Sequence, residues 1–224
     1  MEGVDPSAKP ALAATSWAIL ALLSYEDELS GYDVKKLTEW SIRYFYWSPS
    51  FSQIYTELKK LEKLGLATSR VDHDNGARSR RLYKITAAGL EAVTRWANDT
   101  PADPPMLKHS VLLRVAFGHL AGAAKLKELL QEHVEFAESM QRQAARDARG
   151  AELVDAWAYS RLALQWASRY YANERELAQQ MIKDLDEAEE AYVRSGGAAA
   201  MPRSGPRYWQ EIEERVATEE DGPV

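Results

Sequence analysis

Apolar residues in the first hundred positions recur at helical spacing, interrupted by short polar stretches that supply turns. Trp17, Ile19, Leu20, Leu22 and Leu23 predict a buried first helix starting near Ala13, closed by the polar break Tyr25-Glu-Asp-Glu-Leu-Ser-Gly. Ser30 is placed to cap a second helix, Gly31 to about Ile42, in which Tyr32, Val34, Leu37 and Trp40 share the chain with Lys35, Lys36 and Glu39. Trp47-Ser-Pro-Ser then forces a turn. A third helix, about Ser50 to Leu64, sets Phe51, Ile54, Leu58, Leu61 and Leu64 at steps of three and four, so that they lie on one face. Ser52, Gln53, Thr56, Lys59, Lys60 and Lys63 fall on the other side, and Gly65 ends the helix as the residue best able to turn left-handed. Two short segments follow, Leu66 to Val71 and Arg80 to Ile85. The second sets Leu82 and Lys84 against Tyr83 and Ile85, and Asp-His-Asp-Asn-Gly supplies the turn of a hairpin. Thr86-Ala-Ala-Gly-Leu-Glu opens a further helix to about Ala97.

The prolines of Asn98-Asp-Thr-Pro-Ala-Asp-Pro-Pro break helix and mark a boundary. Beyond it the periodicity predicts three more helices: Met106 to about Leu120, Lys125 to about Arg149, and Glu152 to about Val193. In the longest, Trp157, Leu164, Tyr171, Ala178, Leu185 and Tyr192 stand seven residues apart and form one uncharged seam. The positions three residues on, Ser160, Ala167, Glu174, Met181 and Ala188, are small or polar and include a charge, which disfavours an isolated parallel zipper. A second apolar face, Tyr159, Leu162, Trp166, Tyr170 and Leu177, gives the helix two partners to find, one in its own chain and one in a second copy. Residues 195–206, rich in Gly, Ala, Pro and Ser, predict a flexible connector before a short amphipathic helix marked by Tyr208, Trp209, Ile212 and Val216. Residues 1–11 predict a mobile arm.

Charge changes this picture by its distribution. The chain carries −6 in total, yet residues 50–95 hold nine basic and five acidic side chains, a local +4 against −10 for the remainder. Such a patch is compatible with a phosphate backbone, because the field at the contact surface outweighs the total. No apolar run reaches the roughly 18 residues of a membrane helix. The longest, Leu12 to Tyr25, follows acidic Glu2 and Asp5 rather than a basic leader, so a cytoplasmic protein without a membrane partner is expected. The absence of cysteine removes disulfide and thiolate chemistry. No phosphate-binding glycine loop, metal-spaced histidine pair or nucleophile motif is present, so no enzyme, cofactor or metal is expected. His73, His109, His119 and His133 are scattered, and only the fold would bring any of them together.

Three helices followed by a basic-flanked hairpin is the order of a winged helix, in which the third helix enters the major groove and the hairpin reaches the flanking backbone. The successive blocks Leu29-Ser-Gly-Tyr-Asp-Val, Ser50-Phe-Ser-Gln-Ile-Tyr-Thr-Glu-Leu-Lys-Lys-Leu-Glu-Lys-Leu-Gly-Leu and Arg81-Leu-Tyr-Lys-Ile-Thr-Ala-Ala-Gly resemble signatures of the PadR family of transcriptional regulators. The resemblance is strong over residues 13–97 and looser to about residue 193. It implies a mostly α protein: a winged helix-turn-helix with a two-stranded wing at 12–97, a helical dimerisation domain with one long helix at 106–193, and a connector with a short C-terminal helix at 194–224.

With it come an operator DNA partner, self-association as a homodimer and a near-palindromic site read by two third helices about 34 Å apart. Repression is the expected mode. On the third helix, Ser52, Gln53, Thr56, Lys59 and Lys60 carry the donors and cations that base edges and phosphates require. Tyr32 and Tyr55 correspond to family positions at the border between core and DNA surface, either packing or contacting. Lys35 and Lys36 are phosphate neighbours, and Arg78, Arg80 and Arg81 are the cations of the wing. Trp157, Trp166, Tyr170 and Tyr171 are candidates to hold a small hydrophobic or aromatic effector, with a plain subunit interface as the competing role. The alternative function is a protein-interaction scaffold that binds no operator.

Overall fold

The computed structural model describes residues 12–25, 28–73, 79–197 and 206–220, and within the last stretch the side chains of 210–217. The expected arm at 1–11, Arg78 with most of the wing turn, and the connector residues 198–205 lie outside the described residues. By its contacts the chain divides into two units, one of Met1–Leu107 with Ala137–Asn173, the other of Lys108–Phe136 with Glu174–Val224. Two long helices run through both.

The first unit opens with α1 (Ala14–Leu22), β1 (Leu29–Ser30), α2 (Gly31–Trp40), α3 (Phe51–Lys63), β2 (Ala67–Asp72), β3 (Arg80–Ile85) and α4 (Ala87–Asp99). Both Ser30 and Ser50 form the capping boxes that start α2 and α3, each hydroxyl accepting an N–H three residues on while Asp33 or Gln53 reaches back. Gly65 follows α3 at φ +73°, a conformation that costs any other L-residue strain. Ile19, Leu20, Leu23, Val34, Ile54, Leu58 and Leu61 are fully buried together. Each contributes on the order of 1.5–3 kcal/mol by leaving water, which is what holds α3 against α1 and α2.

The hairpin gains a strand that the sequence pattern does not contain. β1 pairs antiparallel with β3, Leu29 opposite Tyr83, and β2 pairs with β3 from Ala67 opposite Ile85 to Asp72 opposite Arg80. The sheet order is therefore β1-β3-β2. Leu82 and Tyr83 are both buried, so the expected alternation along β3 does not hold.

The remainder of the first unit is built from the C-terminal part of α6 (Ala123–Ala151) and the N-terminal part of α7 (Ala158–Arg194). Ala144, Ala148 and Ala151 join Leu164, Ala167 and Tyr44 in a second core, with Trp40, Trp157 and Tyr171 packed against it. The expected helix from Glu152 instead begins at Ala158, and Trp157 ends a short 3₁₀ turn, Asp155–Trp157. Its indole lies 5.0 Å from that of Trp40, centroid to centroid, so it belongs to the seam by packing rather than by helix.

In the second unit, the expected Met106–Leu120 helix is reduced to α5 (Ser110–Ala116) and a 3₁₀ turn at Gly118–Leu120. His109 caps α5, its Nδ1 accepting the Leu112 N–H at 3.1 Å, which fixes the start four residues later than the apolar pattern suggests. Leu126, Leu130 and Val134 of α6 form the core with Ala178 and Leu185 of α7. A final helix, α8 (Pro206–Glu220), follows. No helix among the described residues is long and apolar enough to cross a membrane.

Candidate nucleic-acid interface

α3 separates its two faces cleanly. Ile54, Leu58 and Leu61 are 0% exposed, while Ser52, Gln53, Tyr55, Thr56, Lys59 and Lys63 face solvent. Of these, Ser52, Thr56, Lys59 and Lys63 follow one another at steps of four, three and four and make a continuous polar stripe, with Tyr55 three residues on from Ser52 beside it. Lys59 makes no ion pair or hydrogen bond among the described residues, leaving its three donors available. Lys60 is engaged differently: its ammonium lies 3.7 Å from Glu57 Oε2 and 3.3 Å from Ser16 Oγ, turned back toward α1. Gln53 commits Oε1 to the Ser50 N–H at 2.8 Å, so its amide nitrogen is the group left for a partner. Thr56 Oγ1 donates to the Ser52 carbonyl at 2.9 Å and retains acceptor capacity.

Around the start of α3 the exposed aromatics gather. Tyr32 stacks on Phe51 with centroids 6.3 Å apart and planes 14° from parallel, and the Lys36 ammonium sits 5.6 Å from the Tyr32 centroid. Phe51 is 45% exposed, although the spacing assigns it to the buried stripe; at the first turn of α3 it extends past the core. The Tyr55 ring occupies space above Gly31, where a Cβ would meet Cε1 at 2.4 Å, so this glycine makes room for the ring. Lys35 is largely covered: it donates to Ser48 Oγ at 2.6 Å and pairs with Glu39 at 3.2 Å. Lys36 shares Glu39 at 3.2 Å but remains more than half exposed. Hydrogen bonds from both lysines hold the Glu39 carboxyl below its ordinary pKa.

On the wing, Arg81 donates to Ser69 Oγ at 2.7 Å and Arg80 pairs with Asp72 at 3.2 Å. Arg70, a cation that the sequence pattern does not single out, grips Glu28 through Nε at 2.8 Å and Nη2 at 2.5 Å and also reaches Asp72 at 3.6 Å. The hydrogen bond from Arg70 pulls the Glu28 carboxyl below its usual range. Glu28 directly precedes β1, so this fork ties the sheet's two outer strands across β3. Only the fold reveals it, because 42 residues separate the two charges.

The four effector candidates fall into two kinds. Trp157 and Tyr171 are packed into the second core, and Tyr171 OH donates to the Tyr44 carbonyl at 3.0 Å. Trp166 is 53% exposed and stacks on Tyr170 at 5.3 Å, with Phe45 edge-on at 6.4 Å. Beside this pair the first unit contains an apolar cleft of about 420 Å³, lined among others by Ala18, Leu22, Phe45, Tyr46, Tyr159 and Ala163. None of the four candidates lines it. Its residues come from α1 and the turn after it, the turn after α2, Trp96 of α4, and α7, four segments whose convergence no local pattern announces.

Comparison with known proteins agrees with this geometry. The model of the transcriptional regulator PadR-like family matches residues 19–95. The negative transcriptional regulator PadR of Bacillus subtilis is 29% identical over 119 residues, a match spanning 53% of this chain and 64% of that relative's length. Among solved structures, Bacillus subtilis PadR in complex with operator DNA superposes with a TM-score of 0.67 at 22% identity, covering 77% of this chain and 99% of that one. A PadR-like transcriptional regulator from Bacillus cereus gives 0.66 at 24% identity, covering 78% and 99%. Bacillus subtilis PadR in complex with p-coumaric acid gives 0.61 at 22% identity, covering 78% and 99%. At these identities the superpositions establish the fold, and over residues 19–95, about a third of its length, the chain is similar to the transcriptional regulator PadR-like family.

Proposed function

We propose that the protein is a cytoplasmic homodimeric repressor that binds a near-palindromic operator through α3 and the wing, and that a hydrophobic or aromatic effector releases it. The observation that carries this reading is the stripe on α3, where Ser52, Tyr55, Thr56 and Lys59 are exposed directly opposite three fully buried residues. A stripe of hydroxyls and cations on a helix held rigid by its own core has the chemistry that base edges and phosphates require. In this reading Lys59, Lys36 and Arg81 supply most of the charge at the phosphates, together with Arg78, Arg80, Lys35 and Lys60, while Gln53 and Thr56 face the bases and Tyr32 and Tyr55 border them.

Residues 12–97 are the DNA-binding domain and 106–193 the dimerisation domain, followed by the connector and short helix of 194–224. Support for the second copy comes from the α7 face that the seam leaves bare: Tyr159 is 87% exposed, Leu162 60% and Trp166 53%. Contiguous apolar exposure of this kind marks an interaction surface. The Bacillus subtilis relative is named a negative regulator and is known bound to operator DNA and to p-coumaric acid. By analogy, a planar aromatic acid or similar ligand held by Trp157, Trp166, Tyr170 and Tyr171, or by the cleft beside Phe45, prefers a conformation in which the two α3 helices are wrongly spaced.

Selection from fragmented genomic DNA tests the proposal. The full-length protein recovers fragments sharing an inverted repeat; recovery of no enriched sequence refutes operator binding and favours the scaffold reading.

A further inference from the structure

Three ligand-type side chains far apart in sequence converge in the second unit, none of them among the DNA-contact or effector residues proposed above. His109 caps α5, His133 lies on α6 and Glu174 on α7. Nε2 of His109 and Nε2 of His133 stand 2.6 and 2.9 Å from the same oxygen, Glu174 Oε1. The three atoms lie within 4.8 Å of one another. The side chains are only 9, 13 and 14% exposed, and the two imidazoles meet edge to face at 4.8 Å.

We propose that His109, His133 and Glu174 form a binding site for a divalent transition-metal ion of the zinc class. Two imidazole nitrogens and one carboxylate suit zinc, cobalt or nickel and disfavour magnesium or calcium, which take oxygen ligands. Three protein ligands leave a fourth position for water. In a tetrahedral zinc site with bonds near 2.0–2.1 Å, neighbouring ligand atoms lie about 3.3 Å apart, so the two nitrogens draw back from Oε1 by roughly half an ångström and close on each other from a separation of up to 4.8 Å.

Loading the site has a structural consequence. Nδ1 of His109 accepts the Leu112 N–H at 3.1 Å, so the neutral ring carries its proton on Nε2 and donates it to Glu174. An ion bound at Nε2 displaces that proton, and the neutral ring then carries its one proton on Nδ1, where it faces another donor. The Leu112 bond is then lost. The site thus has two exclusive states: a hydrogen-bonded clasp with α5 capped, and a metal-loaded form with the first turn of α5 released.

Titration of chelator-stripped full-length protein with Zn²⁺ and Co²⁺, by calorimetry and by the visible spectrum of bound Co²⁺, tests the site. One ion per chain is expected. His133→Ala and Glu174→Gln each weaken binding by about 100-fold or more, since even partners of metal ligands cost 10–100-fold. The double variant His73→Ala/His119→Ala binds as before. Glu174→Gln keeps an oxygen that accepts from both imidazoles, so it reports on metal with the fold retained. Hydrogen exchange at the Leu112 amide accelerates on loading. No stoichiometric uptake, or uptake indifferent to His133→Ala and Glu174→Gln, overturns the site; an unchanged Leu112 amide overturns His109 Nε2 as a ligand.

Discussion

Gly89→Ala places a methyl group where the structure has no room for one. Gly89 lies in the first turn of α4, and a Cβ there would stand 2.0 Å from the Leu66 carbonyl oxygen. That oxygen is fixed, accepting the Thr86 N–H at 3.0 Å, while Thr86 Oγ1 donates to the Gly65 carbonyl at 2.8 Å and accepts the Gly89 N–H at 3.0 Å. Restoring an ordinary contact requires the start of α4 and the turn after α3 to part by about 1 Å, overpacking of a kind that costs about 1–3 kcal/mol. A stretched hydrogen bond adds about 0.5–1.5 kcal/mol. Alanine's better helix propensity returns at most about 1 kcal/mol.

The net expectation is destabilisation by about 1–3 kcal/mol, a midpoint lowered by roughly 2–12 °C in a chain of this size. Tryptophan fluorescence during thermal unfolding reads it locally, because Trp96 of α4 stacks on Trp17 of α1 at 5.7 Å. Gly150→Ala is the internal control: a Cβ on this helical glycine would meet no atom within 4 Å, so the substitution raises stability by up to about 1 kcal/mol. A Gly89→Ala protein that melts at or above the parent temperature refutes the reasoning.

Ser50→Ala removes the α3 capping box and is expected to cost about 0.5–2 kcal/mol in chemical denaturation. Burial first, then the hydrogen bond to Asp147, pushes the Tyr44 hydroxyl from 10.0 up to about 12. Because the folded pKa is raised, its stabilisation is complete below about pH 10 and disappears as pH climbs toward 12; a Tyr44→Phe protein, weaker at neutral pH, lacks this added alkaline loss in paired denaturation curves. Leu162→Glu, on the bare face of α7, puts a charge where the second copy is proposed to pack; sedimentation should show monomer, and an intact dimer would move the interface elsewhere.

The winged helix was legible because its determinants are local. Ser30, Ser50 and Gly65 punctuate helices whose apolar steps of three and four match the buried Ile54, Leu58 and Leu61. What escaped depends on partners distant in the chain. Two residues, Leu29 and Ser30, carry no periodicity, and they form a strand only because β3 offers an edge. Met106 and Leu107 look like a helix start, yet they are 80 and 68% exposed and irregular, following Pro104 and Pro105 and preceding the His109 cap. Spacing also gave no notice that Lys60 is drawn to Glu57 and Ser16 while its neighbour Lys59 points outward, since adjacent lysines look alike in sequence. The His109–His133–Glu174 cluster spans separations of 65 and 41 residues, beyond any metal-binding motif.

In the proposed mode of binding, α3 neutralises phosphates of a specific operator through the outward-facing Lys59. The most direct measurement is the salt dependence of binding to a selected genomic fragment, for the parent, Lys59→Ala and Lys60→Ala. Each lost phosphate contact reduces the slope of log K against log salt by about 0.9, so Lys59→Ala in a dimer should flatten it by nearly 2, and Lys60→Ala by less. Identical slopes for Lys59→Ala and the parent would contradict the account.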